Sequence, residues 1–144
     1  MLSTQTWLPW ALGSACFAAL TAVFAKLGLE GIDSDYATLL RTVVIVIVLG
    51  AFVSLAGKWR DPMTLPVKST TFLVLSALAT GASWVCYFRA LKIGDASKVA
   101  PVDKLSVVLV AVFAGAFLGE RPAGREWFGI ALVAIGVLVL SFKR

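Results

Sequence analysis

The chain has 144 residues, 60% of them hydrophobic and 15% charged, with a mean hydropathy of +0.93, whereas a soluble domain has roughly 45–50% apolar and about 25% charged residues. The composition therefore reads as an integral membrane protein. The net charge of +5 comes from 13 basic and 8 acidic residues spread through short loops, which excludes the clustered basic face of a nucleic-acid binder and assigns the excess to lipid headgroups and the field felt by a substrate.

From the N-terminus, residues 7–25 form an uncharged run of nineteen residues with no basic segment before it. It exceeds the apolar core of a signal peptide, about 7–15 residues, and predicts an uncleaved first span. Four more uncharged runs follow at 42–57, 69–88, 105–119 and 127–142. Together they predict an all-α integral membrane fold of one domain, 1–144, with helices at about 7–27, 37–57, 69–90, 98–119 and 125–142.

Asp33, Ser34 and Asp35 offer N-caps for the second helix and Ser97 for the fourth, which would place Pro101 near the first turn of that helix. The linker 57–68 carries Pro62 and Pro66, which stop one helix and precede the next. Small residues recur on the first helix (Ala11, Ala15, Ala18, Ala22, Ala25) and on the fourth (Ala111, Gly115, Gly119). Such stripes let backbones approach closely in lipid, within one bundle or between protomers.

The fourth run poses a length problem. Its fifteen uncharged residues, 105–119, make a helix only about 22 Å long against a hydrocarbon core about 30 Å thick. To cross, it must recruit the preceding turns and submerge Asp103 and Lys104. The second run likewise draws Arg41 inward, and Arg89 ends the third. Ionisable groups in spans cost a few kcal/mol each and mark pathways or partners. Consecutive helical residues point about 100° apart, so Asp103 and Lys104 are expected to find different partners. Lys104 and Arg41 would face a cavity and bind a carboxylate or phosphate, with Asp103 holding Arg41 or Lys26. Trp84, Tyr87 and Ser83 would supply aromatic wall and hydroxyl. The alternative is that all four charged groups snorkel to headgroups and the aromatics sit in an interfacial belt. Glu120, at a helix C-terminus, should pair with Arg121 or Arg125.

With five spans the termini lie on opposite sides. Lys58, Arg60, Lys68, Arg121 and Arg125 fall on one side, and eight basic residues on the other, of which Arg41, Arg89 and Lys104 belong to spans. The remaining count ties at five each, so the positive-inside rule favours neither orientation. Two chains inserted oppositely would form a ten-helix homodimer of dual topology, with a two-fold axis in the membrane plane.

Residues 86–122, "CYFRALKIGDASKVAPVDKLSVVLVAVFAGAFLGERP", then 129–140, "GIALVAIGVLVL", resemble the EamA-type domain of the drug/metabolite transporter superfamily. The likeness extends through "AVFAKLGLEGIDSDYATLLRT" and so spans nearly the whole chain. Most members carry two oppositely oriented domains and export metabolites. The resemblance thus implies a dimer of this half-length chain, alternating access, and residence in the inner membrane of a bacterial or archaeal cell. The related four-helix multidrug exporters use a glutamate in their first helix, where this chain has no acid up to Ala25. Some short members are subunits of heteromeric flippases for lipid-linked sugars, a second reading; a membrane scaffold is a third.

No histidine is present, and Cys16 and Cys86 fall in apolar runs as small hydrophobes. Phosphate loops, zinc-protease motifs and nucleophile elbows are missing, and Asp33–Asp35 is too short for a calcium loop. Neither an enzyme, a cofactor nor a metal is expected. The expected partners are lipid, a small-molecule substrate and a second copy.

Overall fold

A computed structural model describes residues 7–141; Phe142, Lys143 and Arg144, expected to end and flank the fifth span, lie outside them. The elements are α1 (Leu8–Gly28), α2 (Ser34–Leu55), a 3₁₀ turn (Pro62–Thr64), α3 (Val67–Ile93), α4 (Ala96–Asp103), α5 (Ser106–Phe113), a π-helical turn (Ala114–Leu118) and α6 (Gly124–Ser141). Among the described residues five stretches are long and apolar enough to cross a membrane, the fourth being Ala96–Leu118, which joins α4, α5 and the π turn. The chain divides into two compact units at Ile93/Gly94.

In the first unit α3 packs against both α1 and α2. The start of α2 is fixed as its sequence suggests: Asp33 has extended backbone, and its carboxylate accepts hydrogen bonds from the N–H groups of Asp35 and Tyr36 at 2.9 and 3.1 Å. That cap sets the first residue at Ser34, three earlier than expected, and puts Arg41 two turns inside the span. Buried residues gather at the end where α1 leads into α2 and α3 terminates: Leu29, Ser34, Thr38, Phe88 and Leu91.

Three cationic ties close the same end. Lys26 donates through Nζ to the Leu91 carbonyl at 2.7 Å, and Lys92 donates to the Ile32 carbonyl. Arg89 grips Asp35 with two parallel hydrogen bonds, Nε to Oδ1 at 2.9 Å and Nη2 to Oδ2 at 2.6 Å. Basic groups suit this place because the last carbonyls of α3 lack helical donors and carry the negative end of the helix dipole.

In the second unit α6 packs on α4 and α5 around Ala111, Ala114 and Val137. The fourth span is interrupted, contrary to the single helix expected. Asp95, with extended backbone, takes the N-cap position that Ser97 was expected to fill. Pro101 consequently sits at the sixth residue of α4, beyond the turn where a missing N–H is harmless. Just past it the N–H groups of Lys104, Leu105, Val107 and Val108 each bond three residues back at 3.0 Å, the tighter 3₁₀ pattern.

At its other end the π turn closes on Gly119 at φ 69°, with the Glu120 N–H bonded to the Ala114 carbonyl at 3.2 Å. A left-handed residue there is cheap only for glycine, and an added Cβ would meet nothing within 4 Å. Gly119→Ala is therefore expected to cost about 1–2 kcal/mol through backbone strain alone, read as a lowered unfolding midpoint in mixed micelles, with no loss of helix by circular dichroism.

Most apolar side chains of the spans are exposed on the single chain, Phe17, Val46, Phe72 and Val139 among them, as suits surfaces covered by lipid or other helices.

Candidate functional site

Arg41 is the charged group that the first unit positions most specifically. Its guanidinium carbon lies 4.3 Å from the Trp84 ring centroid and 5.2 Å from that of Phe88, a cation–π shelf on α3 supporting a cation from α2. Phe88 is itself buried and meets Tyr87 edge-on at 6.4 Å, so the shelf is braced. Among the described residues no carboxylate forms an ion pair with Arg41. It lines a groove of about 430 Å³ whose other walls include Thr21, Phe24 and Ala37. A guanidinium stacked by its face keeps its N–H edges for a planar anion.

Asp103 and Lys104 belong to the second unit. Against expectation they pair with each other, Lys104 Nζ to Asp103 Oδ2 at 3.2 Å. The four-carbon lysine stem bends back across the peptide, which the angle between successive Cβ atoms does not prevent. Lys26, expected as a partner for Asp103, donates to the Leu91 carbonyl within the first unit. The pair stands where α4 gives way to 3₁₀ winding, and both side chains are part-exposed.

The remaining expectations divide. Trp84 and Tyr87 are half-buried, and Ser83 is exposed. Arg89, read as snorkelling or drawn inward, is instead fixed by Asp35. Glu120 forms no ion pair among the described residues: the chain reverses at Gly119, and Ala123 N–H is capped by Glu126 at 2.7 Å instead.

The sequence reading missed Phe88 and a set of hydroxyls, Thr38 and Thr42 on α2 facing Ser76 and Thr80 on α3. Their four-residue spacing, one hydroxyl per helical turn on one face, was the available signal.

Five spanning helices with a cation held on an aromatic shelf define a multi-pass membrane protein with a polar locus inside its first unit. The chain belongs to the EamA-like transporter family, which matches residues 5–142. It is 56% identical over 138 residues to an uncharacterized transporter in the cobO 3' region of Sinorhizobium sp., covering 96% of this chain and 98% of that one. An uncharacterized transporter of Vibrio cholerae is 29% identical over 95% of this chain, which covers 43% of that longer protein. A probable 4-amino-4-deoxy-L-arabinose-phosphoundecaprenol flippase subunit ArnE of Yersinia pestis is 27% identical over 58% of this chain and 75% of its own length. No solved structure matches.

Proposed function

We propose that the protein is a secondary transporter of the bacterial inner membrane that moves a small anionic or zwitterionic metabolite by alternating access, as a homodimer of two oppositely inserted copies. The observation that carries this reading is Arg41, a span cation held on Trp84 with no carboxylate partner among the described residues. A charge inside a membrane is retained for a pathway or a ligand. Lys104, with Asp103 beside it, supplies a second cationic locus, and Trp84, Tyr87 and Ser83 complete the substrate-binding set. Pairing is supported by length: this chain covers under half of its Vibrio relative, and two copies would give ten spans.

The test is counterflow in reconstituted vesicles with a panel of carboxylates, phosphates and amino acids, together with accessibility labelling of each terminus. Saturable exchange of one class, with both orientations present, is the expected result. Failure of every class to exchange would overturn the transporter reading, and a single orientation would remove the inverted pair.

The similarity to a flippase subunit favours one second reading, a subunit of a heteromeric flippase for a lipid-linked sugar. Purification from native membranes separates the two: self-pairing yields one polypeptide, whereas a flippase subunit brings a distinct partner of comparable size.

A further inference from the structure

Between α2 and α3 runs a second groove of about 630 Å³, lined on one side by Thr38 and Thr42, on the other by Ser76 and Thr80, with Trp84 farther along α3. Three of these hydroxyls have spent their protons. Thr38 Oγ1 donates to the Ser34 carbonyl at 2.8 Å, Thr42 Oγ1 to the Thr38 carbonyl at 2.7 Å and Thr80 Oγ1 to the Ser76 carbonyl at 2.8 Å. Each is left as an acceptor through its lone pairs. One back-bonded threonine is ordinary in an apolar helix. Two on α2 and one on α3, opening into one cavity, make a surface with more hydroxyl acceptors than donors, the Ser76 hydroxyl keeping its proton to offer.

The charge at this groove is also defined. Asp35 lines it, and its carboxylate is neutralised by both arms of Arg89. No net charge is presented there, in contrast to the groove lined by Arg41. Leu39, Leu73 and Val85 line the same space and Gly81 leaves it open, which suits the C–H faces of a ring.

We infer that the α2–α3 groove binds a neutral, polyhydroxylated group, a sugar or cyclic polyol, whose O–H groups donate to Thr38, Thr42 and Thr80 while its carbon face lies on the apolar lining. The inference goes beyond the transporter reading, whose anionic or zwitterionic substrate is assigned to the groove lined by Arg41, and rests on it only for what becomes of the ligand; binding is measured without transport. The group could arrive as a free polyol or as the headgroup of a glycolipid, and the same hydroxyl chemistry reads both.

The test is protection from alkylation in phospholipid nanodiscs free of glycoside detergent. Cys16 and Cys86 are exposed, so both are replaced by alanine, and Ala77→Cys in the groove wall is the reporter, with Leu73→Cys as a second. Methyl α-glucoside in solution and a glucosyl diacylglycerol in the bilayer are compared, with ethanolamine and acetate as charged probes. At a probe concentration of about twice Kd, occupancy should slow alkylation about three-fold by mass action. The arm that protects identifies the source.

The Thr42→Val, Thr80→Val double variant keeps side-chain shape and should abolish protection, whereas Thr42→Ser, Thr80→Ser should restore it. Lack of protection by either glucoside overturns the inference, as does equal protection by a charged probe or protection that survives the valines. Protection without flux of any solute would instead sink the transporter reading and leave the groove assigned; flux without protection would do the reverse.

Discussion

Arg41→Ala is expected to lower transport of an anionic substrate about ten- to hundred-fold, the loss of charge-assisted hydrogen bonds worth about 1.5–3 kcal/mol. The guanidinium is held 4.3 Å above Trp84, so its donors are oriented before the ligand arrives. Arg41→Lys should recover only part of the rate, because an ammonium keeps the charge but loses the planar fork and the stacking. Lys104→Ala should have a smaller effect, since Lys104 is already compensated by Asp103 at 3.2 Å. Removing the shelf contact also costs stability, about 0.5–2 kcal/mol for such a cation–π pair, so initial rates must be read beside the melting temperature. An Arg41→Ala protein that melts and transports like the parent would take this cation out of the site.

Leu91→Ala should produce the largest stability loss of any single truncation in the first unit. Leu91 is fully buried, at 0% exposure, and its carbonyl receives Lys26, so the position serves both packing and fastening. In a soluble core the change costs about 2–5 kcal/mol. In lipid, which is as apolar as leucine, the transfer part shrinks and the lost contacts remain, giving about 1–3 kcal/mol by the same reasoning. Unfolding by titrated denaturing detergent measures it, with Leu91→Met as the volume-conserving comparison, expected to lose far less. Equal midpoints for parent and alanine variant would show that this end is not tightly packed.

The five spans were legible because long uncharged runs report the bilayer directly, and Asp33 acted as the cap its position promised. The break in the fourth span was less so. Pro101 was visible, but whether it fell in a first turn depended on one cap, and the choice between Asp95 and Ser97 moved it by two residues. The site was partly legible. Charge inside a span nominated Arg41, yet neither its shelf partner Phe88 nor the Arg89–Asp35 clasp follows from spacing along the chain. Both depend on which faces of α2 and α3 meet. The same holds for Asp103, whose partner was set by the reach of its neighbour rather than by helical angle.

Among the described residues, the side-chain hydrogen bonds that join Lys26, Arg89 and Lys92 to Leu91, Asp35 and Ile32 fasten one extremity of the first unit. Toward the opposite extremity, where α2 ends at Leu55 and α3 begins at Val67, the described side chains are almost all exposed. The three helices are then expected to behave like tongs riveted at the handle. Amide exchange should accordingly quicken progressively from the rivet toward the tips.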